Sequence, residues 1–332
     1  MRNTLLKLAV IGVFSVSGYA QAGWVTVPNT GFTNSAYTSC YNTGRDETPG
    51  PLGDGDGGAA DDRKGNFGSY PISSANYPAS GVNDTCWVAK PTSEATLPTG
   101  KTGFTLIGAR TVTIPTTTGG TGNIGSLVDY AWRNSSTNTC IIGTRVTMIN
   151  ADHDAATAGT QNFEVNDIAR GGFSGSTNVS VAYTIFASPV TTASPVYRVG
   201  RTFTSVQHRA RAYDTLINKS LNGANYLDLP TKNSYTAAIN GETTGITASA
   251  IASTTAATQD AAVNANYVDF TFDSVFADDD GSTNAVSAFT YIEASCSANP
   301  TVQANAIRLR QTAQENTTPK AIDLSGYAIG TP

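Results

Sequence analysis

The chain has 332 residues, of which 14% are charged, and a net charge of −5. Globular domains average about 25% charged residues, so the chain is too poor in charge for a coiled coil and for the usual highly charged disordered class. Aromatic residues make up 9%, enough to build a core, and the length suits one large β domain or two smaller ones.

The first segment carries a positive start (Arg2, Lys7), a short apolar run from Leu8 to Ser17, and Ala20-Gln21-Ala22. That order predicts a secretory signal peptide over 1–22, and the apolar run is short for a bilayer span. Cleavage after Ala22 would remove two positive charges and no acid, moving the net charge from −5 to −7. An acidic exported protein has no general attraction to nucleic acid. No later apolar stretch reaches about 18 residues, so no membrane insertion is expected. The expected location is secreted, extracellular or cell-surface, with the periplasm as an alternative.

Residues 24–28 read as a first strand ended by Pro28. The stretch 23–101 is otherwise loop-rich, with many Pro, Gly, Asn and Ser, and a short strand is expected near 85–88. The β-rich body, 102–332, follows. Phe104 to Ile114 suggests two strands, or one long strand with a bulge near Gly108. Further strands are expected over Leu127–Trp132, Cys140–Ile149, Val179–Phe186, Val196–Val206, Tyr267–Val275, Phe289–Ala294 and Ala304–Arg310. Asp214–Leu221 is the best helix candidate. Residues 231–265 are a low-complexity excursion of Thr, Ala, Ser and Asn. Together these predict an all-β, antiparallel β-sandwich-like single domain with long loops, the segment 23–101 belonging to the same domain.

Four cysteines, Cys40, Cys86, Cys140 and Cys296, form an even set in an exported chain. Three connectivities are open; the preferred pairing is Cys40–Cys86 and Cys140–Cys296. Their spacing matches no zinc site.

Two histidines, His153 and His208, are the candidate ligands for copper or another transition metal. His153 lies between Asp152 and Asp154; the plain alternative is two surface histidines in polar turns. Two acidic turns are candidate calcium sites. Asp54 and Asp56 open a run with Asp61 and Asp62. Asp278, Asp280, Ser282 and Asn284 place oxygens at alternate positions, and Asp269 and Asp273 could complete that set. Neither run is an EF-hand, because Gly65 and Phe289 stand where a bidentate Glu is required. Solvated turns are the plain alternative.

Catalytic motifs are missing. Gly172-Phe173-Ser174-Gly175-Ser176 fails the nucleophile-elbow pattern at its last position. Glu164, Asp167, Asp269 and Glu293 are candidate acids for glycoside chemistry, which needs two carboxylates facing across a cleft. Trp24, Trp87 and Trp132 could stack on sugar rings, although tryptophans in a sandwich usually belong to the core.

The segments Val128-Asp129-Tyr130-Ala131-Trp132-Arg133-Asn134, Gly143-Thr144-Arg145-Val146, Phe163-Glu164-Val165-Asn166-Asp167-Ile168, Tyr197-Arg198-Val199-Gly200-Arg201-Thr202 and Tyr267-Val268-Asp269-Phe270 resemble a group of secreted bacterial surface proteins. That group includes the copper-binding surface proteins of methane-oxidising bacteria. The resemblance spans about residues 125–296. It implies export and a surface role, with His153 and His208 as candidate copper ligands and Trp132 as a third. The family's tryptophan two residues before the first histidine is replaced by Ala151, and Val206 stands two residues before His208. The sequence therefore points to a secreted, non-enzymatic surface or matrix protein stabilised by disulfides and calcium. Two alternatives stand beside it, a copper-binding surface protein and a carbohydrate-binding or carbohydrate-active protein. Surface, matrix or glycan partners are expected.

Overall fold

The structure is a computed structural model that describes residues 23–29, 86, 88, 91–98, 100–184, 196, 198–201, 213–214, 219–220, 265–278, 283–311 and 320–332. The segment 1–22 expected as a signal peptide, Trp87, and residues 231–264 of the expected low-complexity excursion lie outside them. The described residues contain strands and no helix.

Two antiparallel sheets face each other. The first has strand order β1 (Val25–Pro28), β6 (Asn178–Thr184), β11 (Phe289–Ser295), β4 (Thr139–Met148), β3 (Asn123–Asn134), β2 (Thr105–Pro115). The second runs β13 (Lys320–Ala328), β12 (Thr301–Gln311), β5 (Val165–Gly171), β10 (Tyr267–Ser274), β7 (Arg198–Gly200). The expected sandwich-like fold is therefore present. β2 is one long strand, with a register shift between Leu106 and Gly108, where the sequence suggests a bulge.

Alternation decides which face each side chain takes. In the second sheet, Ile322, Leu309, Ile168, Phe270 and Val199 form one cross-strand row, and all of them are buried. Across the core, Leu127, Ala131, Ile142, Val146, Ile292, Val181 and Val27 answer from the first sheet. Burying about thirty such side chains is the main drive for folding. Pro28 ends β1 without loss of a ladder bond. The Asn29 N–H donates to Thr177 O at 2.7 Å, so by alternation Pro28, opposite Asn178, sits at a non-bonded position.

One expectation is corrected: within Asp214–Leu221, expected as a helix, the described residues are strand, Tyr213–Asp214 (β8) pairing antiparallel with Lys219–Ser220 (β9). Of the strand expected over Val196–Val206, Arg198–Gly200 is described as strand, with a bend at Arg201; residues 197 and 202–206 lie outside the described residues. Two strands, β5 and β13, went unrecognised as body strands. Near 85–88, where only Cys86 and Val88 are described, the Tyr183 N–H donates to Cys86 O and the Val88 N–H to Tyr183 O, each at 2.8 Å. These bonds continue, along β6, the edge that β1 fills up to Val25↔Val181.

Candidate functional site

The histidine corner comes first. His153 is 1% exposed. Its Nδ1 and the Thr117 hydroxyl are 2.7 Å apart in a hydrogen bond. Its ring meets Phe163 edge-on with centroids 5.3 Å apart. Its carbonyl accepts from the Thr117 N–H at 2.9 Å. Burial holds the imidazole pKa below its ordinary value, against the pull of Asp154 and Asp152. The flanking acids make turns: Asp152 Oδ1 accepts from the N–H groups of Asp154 and Gln161. Asp154 accepts from the Ala156 N–H and pairs with Lys320 at 3.4 Å. His208 lies outside the described residues.

The other predicted ligands divide in the same way. Asp54, Asp56, Asp280 and Ser282 lie outside the described residues. Asp278 and Asn284 are half-buried in the β10–β11 connection, which the Asn284 N–H closes by donating to Val275 O at 2.9 Å. Among the described residues there is no grouping of three or more His, Cys, Asp or Glu side chains that could hold a metal.

The cysteines behave as expected where they are described. Cys140 and Cys296 form a disulfide with Cα atoms 5.7 Å apart. It joins the start of β4 to the residue just after β11, and both side chains are buried. Cys86 is also disulfide-bonded; its preferred partner, Cys40, lies outside the described residues.

The acids considered for glycoside chemistry fall on different faces. Glu293 is on the outer face of the first sheet, paired with Lys101. Asp167 and Asp269 share the outer face of the second sheet on neighbouring strands, because Thr271 stands opposite Asp167 and Ala169 opposite Asp269. Both are fully buried. Asp167 accepts from the Thr271 hydroxyl at 3.3 Å. Arg310 pairs with Asp269 at 3.4 Å, and Arg308 forks onto Asp323 at 2.8 and 3.1 Å. Glu164 accepts from Asn166 Nδ2 at 2.6 Å.

The outer face of the first sheet is aromatic. Tyr130, Gly143, Tyr291 and Ala182 form one cross-strand row. Around it Tyr130 stacks on Trp132 at 5.4 Å, Phe289 tilts on Tyr291 at 4.8 Å, and Trp24 reaches Tyr291 at 6.0 Å. Gly143 makes this possible. A Cβ there would come within 2.6 Å of Phe289 and 2.8 Å of Trp132. The segment 91–101 straps across these rings. The Ala95 carbonyl accepts from Trp132 Nε1 at 3.3 Å, Glu94 pairs with Arg145, and Lys101 lies 4.1 Å over the Trp24 ring. Trp132 is 2% exposed, so it packs as a core residue and presents no open stacking platform.

Among the described residues, three fully buried arginines carry the interior electrostatics. Arg170 (β5) points into the core between Ile307 and Val268 and meets Asp129 (β3) at 3.1 Å. Asp129 also accepts from the Tyr327 N–H at 2.7 Å, and Arg170 donates to the Tyr327 carbonyl at 2.5 Å. Tyr327 lies on β13, the edge strand of its sheet. The pair thus satisfies two backbone groups there in place of a neighbouring strand. Burial raises the Asp129 pKa even with Arg170 beside it. Arg201, fully buried, donates to the carbonyls of Val27, Phe173, Ser176 and Ala265. It ties β1 to the β5–β6 turn, and burial lowers its pKa to about 10. Arg310 is the third, on the outer face already described. These residues were missed as a set, although a readable signal existed: Asp129, Asp167, Arg170, Arg201 and Asp269 are charges in or beside apolar strand patterns.

Among the described residues, the chain is a disulfide-stabilised, all-β, two-sheet domain, and none of its elements is a helix long and apolar enough to cross a membrane. Comparison with protein-family models, with curated proteins and with solved structures finds no match.

Proposed function

We propose that this chain is an exported, non-enzymatic β protein that works at a bacterial cell surface or in the extracellular matrix. The buried Cys140–Cys296 bridge carries the reading. Structural disulfides form and persist in oxidising compartments and are rare in the cytosol. The polar, charge-poor composition and the signal-like first 22 residues agree with export. The non-enzymatic part rests on how the ionisable groups are used. His153, Asp152, Asp154, Asp129, Arg170 and Arg201 all hold backbone or neighbouring strands, which is structural work. Its partners are then surface or matrix components.

The test is expression of the whole chain in a Gram-negative host, followed by fractionation and intact-mass measurement. The reading expects the protein outside the cytoplasm with Gly23 as its first residue. A cytoplasmic chain that keeps residues 1–22 would refute it.

A further inference from the structure

A sheet edge presents unpaired N–H and C=O groups, and folded proteins blunt such edges with short strands, prolines, charges or covering groups. Among the described residues, three of the four edges of the two facing sheets are blunted in identifiable ways. β1 is four residues long, ends in Pro28, and is continued along β6 by Cys86 and Val88. β7 is three residues long. β13 has its Tyr327 backbone capped by Asp129 and Arg170, and carries Lys320 and Asp323 along its length.

β2 is different. It is 11 residues long, and among the described residues it pairs only with β3. Its bulge and its proline lie at the two ends, at Ile107 and Pro115. The run between them, Gly108 to Ile114, keeps a regular register with β3. That run has no Lys, Asp, Glu or Pro. Its one charge, Arg110, is folded back onto Ser325 Oγ of β13 at 3.1 Å. Ala109, Thr111 and Thr113 are exposed.

We propose that β2 is a self-association edge, and that its occupant is β2 of a second copy of this chain in an antiparallel, two-fold pairing. A strand that meets its own copy antiparallel generates the isologous contact of a C2 dimer. Centring the axis on Thr111 uses the whole regular run. It sets Gly108 opposite Ile114, Ala109 opposite Thr113 and Arg110 opposite Val112, so no like charges meet. Centring it on Arg110 would place two guanidinium groups face to face. The pairing joins the two six-stranded sheets into one continuous sheet by main-chain hydrogen bonds, the mode of strand addition. It goes beyond the export reading and does not depend on it.

Sedimentation of the mature full chain over a concentration series tests it, together with Thr111→Lys, Thr111→Cys and Thr113→Cys. Thr111 is exposed, so the lysine leaves the monomer intact while setting two ammonium groups opposite each other in the dimer. The expected result is a concentration-dependent dimer that Thr111→Lys weakens by about fivefold or more, with part of the loss recovered at high salt. Thr111→Cys should give a covalent dimer on a non-reducing gel, and Thr113→Cys, opposite Ala109, should not. A chain that stays monomeric throughout, a lysine variant that dimerises like the parent, or equal cross-linking at both positions would overturn the proposal.

Discussion

The Asp129–Arg170 pair offers a test in which two explanations give opposite signs. Both side chains are buried and face each other across the core at 3.1 Å. Seen as an ion pair alone, the two residues should be dispensable together. Desolvation can exceed the Coulombic gain, so apolar residues of similar size are often neutral or stabilising by about 1–4 kcal/mol. The geometry says more, because the same two side chains satisfy the Tyr327 N–H and carbonyl on an edge strand. Removing Asp129 alone leaves a buried unpaired guanidinium, at roughly 3–5 kcal/mol. The Asp129→Leu, Arg170→Met double variant removes both charges and leaves both backbone groups without partners. Each orphan costs about 1–3 kcal/mol. Two orphans together cost roughly 2–6 kcal/mol against a gain of about 1–4 kcal/mol from removing the charges, so the double variant is expected to remain destabilised by about 1–2 kcal/mol at the midpoints of these ranges. Urea unfolding at constant m-value measures this. A double variant as stable as the parent, or more so, would refute the capping role and leave an ordinary buried ion pair.

Three other perturbations follow from the geometry. Gly143→Ala puts a methyl where Phe289 and Trp132 already lie within 2.6 and 2.8 Å. It should cost about 1–3 kcal/mol by overpacking and shift the tryptophan emission; unchanged stability would show that the aromatic face is loosely packed. His153 has its folded-state pKa below the ordinary 6.5, so the unfolded chain binds the proton more readily. The stability it contributes is present above pH 6.5 and is lost as pH falls through the lower folded-state value. His153→Gln should flatten this part of the pH–stability curve, and an identical curve would contradict the buried placement. Breaking the Cys140–Cys296 bridge, which spans 156 residues of sequence, should lower stability by up to roughly 5 kcal/mol on loop-entropy grounds. Urea unfolding of Cys140→Ala, Cys296→Ala would contradict the bridge if it matched the parent.

The strands with clean alternation were legible because one face met water or a thin cover. Val179, Val181 and Tyr183 alternate with Ser180 and Ala182, and the structure places them on a core-facing edge of β6. β5 was not legible as a body strand for the opposite reason. It is buried on both faces, yet Asn166, Asp167 and Arg170 make it look polar, because the partners of Asp167 and Arg170 come from other strands and cannot be seen locally. β13 was hidden by Gly326, which interrupts the apolar period after Ile322 and Leu324. The structure needs that glycine: a Cβ there would sit 2.6 Å from Ile307 and 3.1 Å from Arg170. Asp214–Leu221, the best helix candidate, is only eight residues, too short a window to separate a helix from paired strands. The site residues divide similarly. His153 stood out by rarity, but its burial against Thr117 and Phe163 depends on contacts 36 residues away for the first and on the turn for the second. The capping role of Asp129 needed the topology, because Tyr327 lies 198 residues further on.

An oxidised, two-sheet β domain that works outside the cytoplasm keeps its cysteines bridged there. Peptide mapping of the non-reduced protein, purified from its own compartment with thiols blocked at lysis, tests it most directly. The expected result is a peptide pair linked through Cys140 and Cys296, a bridged Cys86, and no blocked thiol. Recovery of Cys140 and Cys296 as blocked free thiols would contradict it.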